Sequence, residues 1–301
     1  MLIVEPNVEI LNEQNIYKKI ELAGRICYKS EGRITDTSYE RFIKMLLGKK
    51  HYSVLEHADI VVGVRNWENF YGLIPQHLKN QFTFTAFNNK IKVVQANIRA
   101  WREFLELYPI KDIINYYPLV FGDINYEENN IKVKPILGDS YFDVLQNNPY
   151  AIRETFIVQT TRDISHQIVR HRLFSVSQES QRYCNYSLDK FGDVKFIMPD
   201  FIKNSNDEFI EKTWMVQRES DEKEYLMYLD AGAKPEEARN CLPNATATSL
   251  VLTASIWEWG HFLNLRLKTD AQKEIREIAK EIQFRLLEKY EGSELEKYIN
   301  V

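Results

Sequence analysis

The chain has 301 residues, of which 44% are apolar and 27% charged, with a formal net charge of −4 at pH 7. That balance provides for a sizeable buried core and excludes a disordered polymer or a chain built mainly to coat nucleic acid or an anionic membrane. Three widely spaced cysteines, Cys27, Cys184 and Cys241, build no disulfide framework or zinc spacing, and they predict a reducing, cytoplasmic setting.

No signal peptide is expected in "MLIVEPNVEI", and no run reaches transmembrane length. A short strand, Leu2 to Val4, leads into a predicted helix from about Gln14 to Cys27. A second helix follows from about Thr37 to Leu47, with Asp36 as its cap. "IVVGVR" reads as a strand. From Trp67 to Tyr150 a strand-like "KIKVVQA" and a helix-like "NIRAWREFLELY" precede a stretch rich in Asn, Tyr and Pro. No linker brackets this region, so it reads as an elaboration on the core.

"RETFIVQT" predicts a strand and "RDISHQIVRHR" a helix capped by Asp163. "DVKFIMP" reads as a strand and Asn206 to Asp230 as a long helix with a charged surface. "KPEEARNCL" opens a helix that Pro243 ends. "TATSLVLTAS" is a strand and "IWEWGHFLNLRL" a helix. In "AQKEIREIAKEIQFRLLEKY", Ile275, Ile278, Ile282 and Leu286 form one apolar stripe. The mixture predicts an α+β fold. One echo stands out: "NIRAWREFLEL" aligns with "SIWEWGHFLNL", matching Trp101 with Trp259, Phe104 with Phe262 and Leu105 with Leu263. With no longer repeat behind it, it reads as two amphipathic helices with similar apolar stripes.

The stretch "RHRLFSVSQESQRY", Arg170 to Tyr183, carries three arginines, a histidine, three serines and two glutamines, and only one acid, Glu179. Guanidinium grips phosphate oxygens with paired hydrogen bonds, and a phosphate monoester needs about two such partners plus neutral donors. Arg170, Arg172 and Arg182, with Ser175, Ser177 and Ser180, supply that set through side chains, because no glycines are present for a backbone cradle. Gln167 falls three residues before Arg170, on the same face of the predicted helix. An amide such as Gln167 or Gln178 both donates and accepts, which suits the edge of a pyrimidine. A solvated basic turn is the competing reading.

This stretch resembles the signature of the flavin-dependent thymidylate synthases: Arg-His-Arg, seven residues, Ser, then Arg-Tyr. Arg170, His171, Arg172, Ser180, Arg182 and Tyr183 fall at the matching places. "HYSVLEH" is similar to the family's His-x-Thr/Ser-x-x-Glu-His segment, giving His51, Ser53, Glu56 and His57. "AGRICYKS" resembles its early helix end, "EARNCLP" places Arg239, and "HFLNLR" ends on Arg266. The likeness runs over roughly residues 1–66 and 150–290, and residues 67–150 read as an insertion.

The resemblance implies one catalytic domain over residues 1–301, α+β, with a mixed or antiparallel sheet and surrounding helices. It implies reductive methylation of dUMP to dTMP, with methylenetetrahydrofolate as carbon donor, FAD as hydride carrier and NADPH as reductant, in a homotetramer with shared active sites. Gln167, Arg170, Gln178, Ser180, Arg182, Arg239 and Arg266 are then the dUMP residues. His51, Ser53, Glu56, Arg170, His171, Arg172, Gln178 and His261 are the FAD residues, and Arg266 is the catalytic cation that steadies charge on the uracil ring. No metal is expected, since His77 and His166 lack partners at ligand spacing. No cysteine nucleophile is expected either, and Cys184 reads as a packing or surface residue. Two departures matter: where the family commonly has Asn-x-Arg at flavin positions, this chain has Ser255 and Trp257. That pair recurs at Asn97 and Arg99, inside the insertion. The insertion's helix, from this or a neighbouring subunit, is expected to restore the lost contacts. The alternative is a non-catalytic nucleotide-binding relative.

Overall fold

In a computed structural model of the chain, residues 1–88, 91–126, 133–135, 144–187 and 193–301 are described. The elements that position the site are β1 (Leu2–Ile3), β2 (Asn7–Ile10), α1 (Ile16–Cys27), α2 (Ser38–Gly48), β3 (Asp59–Val64), β4 (Thr83–Asn88) and β5 (Ile91–Asn97). They continue with α3 (Ile98–Leu107), β6 (Val133–Pro135), β7 (Arg153–Thr161), α4 (Arg162–Ile168), β8 (Ser175–Gln178), β9 (Lys195–Phe196) and α5 (Glu208–Asp230). The chain closes with β10 (Ala247–Ser255), α6 (Ile256–Arg266) and α7 (Lys273–Tyr290), among shorter helical turns. Two four-stranded antiparallel sheets, ordered β4–β5–β3–β6 and β2–β7–β10–β8, carry the fold, and β1 pairs with β9 in parallel. The α+β reading holds.

The inserted region is built into the core. Val94, Trp101, Phe104 and Phe121 share one cluster with Ile20 of α1, Leu46 of α2, and Val251 of β10. A second cluster joins Phe156, Trp259 and Phe262 to Ile275 and Ile282 of α7. Fully burying side chains of this kind stabilises by roughly 1.5–3 kcal/mol each, so residues 67–126 are as much part of the fold as its ends. Gly260 allows the closest of these contacts, since a Cβ there would meet the Tyr298 carbonyl oxygen at 2.2 Å.

The echo between residues 97–107 and 255–265 turns out to be a structural repeat, against the expectation of a chance likeness. Asn97 pairs across to Asp59, and Ser255 to Arg153. Ile98 N–H donates to the Ala58 carbonyl and Ile256 N–H to the Ile152 carbonyl, both at 2.9 Å. Trp101 Nε1 donates to the Ile60 carbonyl at 3.1 Å, and Trp259 Nε1 to the Glu154 carbonyl at 3.2 Å. Each unit is therefore a strand, its antiparallel partner and a helix springing from the partner's end, pinned by an indole in the same way. The sequence hid it because the two strands of each unit lie at different separations along the chain.

Three boundaries differ from expectation. Asp36 does not cap α2, whose N-cap is Thr37. α4 stops at Ile168 with Thr161 at its N-cap, so Asp163 lies in the first turn and Arg170–Arg172 lie beyond the helix. The shared helical face expected for Gln167 and Arg170 is therefore lost. Of "DVKFIMP" only Lys195 and Phe196 form a strand.

Helices α1 and α2 end alike. Lys29 N–H bonds the Ile26 carbonyl and Ser30 N–H the Arg25 carbonyl; Lys50 N–H bonds the Leu47 carbonyl and His51 N–H the Leu46 carbonyl. This double bond set needs a left-handed residue, normally glycine, yet here it is Lys29 (φ 47°) and Lys50 (φ 56°). Replacing Lys50 by glycine relieves that strain and should raise stability by about 0.5–1 kcal/mol. A urea midpoint that does not rise would mean the Lys50 side chain is needed where it is.

Candidate functional site

Because α4 ends early, the Arg-His-Arg triplet forms a turn, closed by His171 N–H to the Ile168 carbonyl and Phe174 N–H to the His171 carbonyl. The following residues enter β8, which pairs antiparallel with β10. The turn packs against α6, and the two line a pocket of about 240 Å³ with Arg170, His171, Arg172, Trp257, His261 and Arg266 on its wall. Its base is aromatic: Phe174 meets Trp259 at 4.5 Å and His171 meets Phe262 at 4.9 Å between ring centroids. Arg266 Nε donates to His171 Nε2 at 3.0 Å, and Arg266 Nη2 to the Gln167 carbonyl at 3.2 Å. Burial, with Arg266 and His261 adding to it, pulls His171 down to about 4. At neutral pH its imidazole is uncharged and accepts at Nε2. Partial burial also lowers the Arg266 guanidinium.

The pocket thus gathers Arg170, His171, Arg172, His261 and Arg266, with Gln167 beside it. Other predicted residues fall into two further groups, with no hydrogen bond or ion pair between groups among the described residues. Gln178 points into the sheet, donating to Ser165 Oγ at 2.9 Å and Thr248 Oγ1 at 3.2 Å. Ser180 N–H holds the Cys27 carbonyl, Arg182 pairs with Glu236 at 3.1 Å, and Arg239 opens the turn just beyond that acid. In the third group His51 Nδ1 lies 2.7 Å from Tyr28 Oη, Ser53 shares its helical turn, and Glu56 Oε1 accepts from Arg99 Nη1 at 2.7 Å. Cys184 is fully buried and its thiol is pushed up to about 12, chiefly by burial, as suits a packing residue.

Two buried groups lock the third group to the sheet bearing the Arg-His-Arg turn: His57, which the sequence placed in the His51 segment without a role, and Arg153, which it did not single out. His57 Nδ1 lies 2.8 Å from Thr253 Oγ1, and His57 Nε2 lies 2.9 Å from Ser177 Oγ. Thr253 Oγ1 is bonded in turn to Thr155 Oγ1 at 2.7 Å. Arg153 donates to Asp59 Oδ1 at 2.7 Å and to Ser175 Oγ at 3.0 Å. Burial opposes the Arg153 charge, and Asp59, with Glu258 and Glu56, more than offsets it and holds the group above its ordinary value. A neutral imidazole has one donor and one acceptor, and hydroxyl partners serve either.

The repeat sets two triads in equivalent places. In the first unit Arg99 bridges Glu56 and Glu103, the latter at 2.8 Å. In the second, Trp257 stacks on Tyr150 (5.5 Å, 29°) and on His261 (6.3 Å, 8°). Tyr150 lies two residues before Ile152, as Glu56 lies two before Ala58. Trp257 and His261 correspond to Arg99 and Glu103. A charged triad in one unit is an aromatic triad in the other. Ser255, like Asn97, caps its helix, accepting from Glu258 N–H at 3.2 Å while Asn97 accepts from Ala100 N–H at 2.8 Å. The serine therefore keeps the cap that asparagine provides, and Trp257 is the departure with chemical consequence.

The family model described as thymidylate synthase complementing protein matches residues 9–70 and 151–290. The chain belongs to that family. It is 34% identical over 160 residues to the flavin-dependent thymidylate synthase of Pyrococcus abyssi, covering 53% of this chain and 63% of that protein. It is 36% identical over 159 residues to that of Thermococcus onnurineus, covering 53% and 62%, and 33% identical over 157 residues to that of Saccharolobus solfataricus, covering 52% and 56%. These matches span just over half of the chain and less than two thirds of the relatives' length. A UMP/dUMP methylase from Streptomyces cacaoi bound with 5-Br dUMP aligns over 96% of this chain and 93% of its own. At 16% identity and a TM-score of 0.43 that likeness is too loose to define anything here. No helix among the described residues is long and apolar enough to cross a membrane.

Full burial, with Lys19 and Arg153 adding to it, pulls His57 down to about 3. Unfolded, the group binds a proton below its ordinary value of 6.5, so its contribution is complete above that pH and drains as pH falls towards 3. The slope is up to about 1.4 kcal/mol per pH unit. Urea midpoints should therefore fall from pH 6.5 to 5, and more gently in His57→Gln. Equal slopes in the two proteins would remove His57 as the cause.

Proposed function

We propose that the chain is a flavin-dependent thymidylate synthase that methylates dUMP to dTMP, with methylenetetrahydrofolate, FAD and NADPH, as a cytoplasmic homotetramer. The observation that carries this reading is the convergence of three arginines and two histidines on one aromatic-floored pocket, three of the five from the family's own signature. Guanidinium groups of Arg170 and Arg172 match nucleotide phosphate oxygens. Arg266, held by His171 and the Gln167 carbonyl, is the cation for negative charge that develops on the uracil ring as its carbon 5 attacks. A neutral His171 accepts from Arg266 without competing for that charge.

The donor set suits FAD: cations for a diphosphate, planar Trp257 and His261 for a ring, and Ser53 with Glu56 as polar partners. Bound flavin supplies the hydride. A pocket of about 240 Å³ is below the roughly 300 Å³ at which small-molecule sites begin, so further walls must come from elsewhere. The exposed Leu173, Leu265 and Trp257 at its mouth are surfaces against which a second copy closes it, bringing the Arg182–Arg239 and Glu56–Arg99 groups of neighbouring subunits into one site. In the first unit Arg99 already lies on Glu56 within the same chain, and it is the residue that restores the cation lost at Trp257.

A second reading, a nucleotide-binding relative without flavin chemistry, is favoured by Trp257 alone. The visible spectrum decides between them. On titration with FAD, a bound-flavin spectrum that shifts on adding dUMP is expected, and Arg99→Ala should weaken FAD about tenfold. An unchanged FAD affinity in Arg99→Ala would discard its role, and dUMP binding without any FAD binding would establish the second reading. Arg266→Ala should cost about a hundredfold in dTMP formation, as loss of a charge-stabilising donor does.

A further inference from the structure

Helix α3 of the inserted region lies against the turn Tyr52–His57, which follows directly on His51 and carries Ser53 and Glu56. That turn has little of its own to hold it: its closing backbone bond, Ala58 N–H to the Leu55 carbonyl, is stretched to 3.5 Å. One side of it is fixed by His57 to β8 and β10. The other side faces α3, which meets it at three points. Ile98 N–H donates to the Ala58 carbonyl at 2.9 Å, and Arg99 Nη1 to Glu56 Oε1 at 2.7 Å. The Arg102 guanidinium lies over the Tyr52 ring, 5.0 Å from its centroid. Residues 99 and 102 are three apart on a helix and share a face, and Glu56 and Tyr52 take them up at the two ends of the turn.

Arg102 is held from within the inserted region, with a side chain only 4% exposed. Its Nη1 and Nη2 donate to Asp123 at 2.8 and 2.5 Å, and Nη1 also to the Val120 carbonyl at 2.7 Å. Nε lies 3.1 Å from Glu106 Oε1 without the alignment of a hydrogen bond. Burial works against the Arg102 charge, and Asp123 and Tyr52 more than offset it. A buried guanidinium is a costly way to tie the insertion to itself, since well-packed apolar side chains do as well. A cation over an aromatic ring is favourable, and more so away from water. Tyr52 stands between two expected flavin residues, His51 and Ser53, at the position that the family's His-x-Thr/Ser segment leaves open.

We propose that Arg102 is a positioning residue: through Tyr52 it holds the turn carrying His51, Ser53 and Glu56 in place beside the nucleotide pocket, and this is what the inserted region contributes to the reaction. The cofactor that the turn meets rests on the thymidylate synthase reading, whereas the holding of the turn does not. The competing account makes Arg102 and Asp123 a staple within the insertion, on which Tyr52 merely rests.

Amide hydrogen exchange over residues 51–57, FAD titration and steady-state kinetics of Tyr52→Leu, Tyr52→Phe and Arg102→Gln decide between them. Tyr52→Leu should speed exchange in the turn, weaken FAD about tenfold and lower kcat about tenfold, with the dUMP KM unmoved. Tyr52→Phe keeps the ring and should match the unsubstituted protein. Arg102→Gln should reproduce Tyr52→Leu, and the two together should cost no more than one, because both break the same contact. The Tyr52 variants leave the Asp123 pair intact, so they decide the matter even where Arg102→Gln does not fold. Unchanged exchange in Tyr52→Leu overturns the proposal, as do losses that add in the double variant or a Tyr52→Phe loss as large as that of Tyr52→Leu. Faster exchange in Tyr52→Leu, with no FAD binding by the unsubstituted protein, keeps the positioning role and overturns the thymidylate synthase reading instead.

Discussion

A single buried imidazole holds the architecture together at its centre. His57 ends the turn carrying His51, Ser53 and Glu56, and its two nitrogens reach Ser177 on β8 and Thr253 on β10. Those strands belong to one sheet, while β3, which starts two residues after His57, belongs to the other. The Arg153–Asp59 pair repeats the join between the first residues of β7 and β3. Desolvating these groups is costly unless each is fully bonded, so the join tolerates little displacement. That rigidity fixes the Glu56 turn relative to the strand that follows the Arg-His-Arg turn. Positioning to within a fraction of an ångström is what a reaction made of orientation and electrostatics requires.

The repeat gives a physical account of why this chain departs from its family where it does. Both units need an N-cap at the strand-to-helix junction, and asparagine and serine serve equally. Both need the indole at the fifth position, because its N–H satisfies a carbonyl of the neighbouring strand. The third position is free of such duties and faces whatever lies before it. In the first unit that neighbour is Glu56 and an arginine answers it; in the second it is Tyr150 and a tryptophan answers it. Arg99 and Trp257 are therefore each matched to a local partner.

Much of this was legible from the sequence. Apolar stripes and β-branched runs located α1, α2, α6, α7, β7 and β10, and a long charged surface located α5. The signature residues also led to the pocket: Arg170, His171, Arg172, His261 and Arg266 do come together. What stayed hidden depends on long-range contacts. β2 is a short edge strand whose partner, β7, lies far along the chain. The end of α4 at Ile168 carries no glycine or proline to announce it, and it was read past by four residues. The inward turn of Gln178 follows from its partners Ser165 on α4 and Thr248 on β10, which no local pattern reveals. Part of the inserted region, including residues 127–132 and 136–143, lies outside the described residues.

The nucleotide pocket and a larger cleft, of about 570 Å³ where α1 and α2 end, differ in their electrostatics, and the difference follows from how each is built. In the smaller pocket Arg266 is held by a neutral histidine and a backbone carbonyl, neither of which cancels its charge. Its field is thus kept for whatever enters. The cleft at the ends of α1 and α2 instead keeps Arg25 and Lys29 engaged with acids and leaves Arg33 and Lys49 in solvent. Charge reserved behind neutral donors in a partly buried wall acts strongly on one developing charge. Charge spread over exposed lysine and arginine acts weakly on each of several, and salt screens it. The first arrangement suits a single charge met inside a partly buried wall, and the second suits several charges met at a surface.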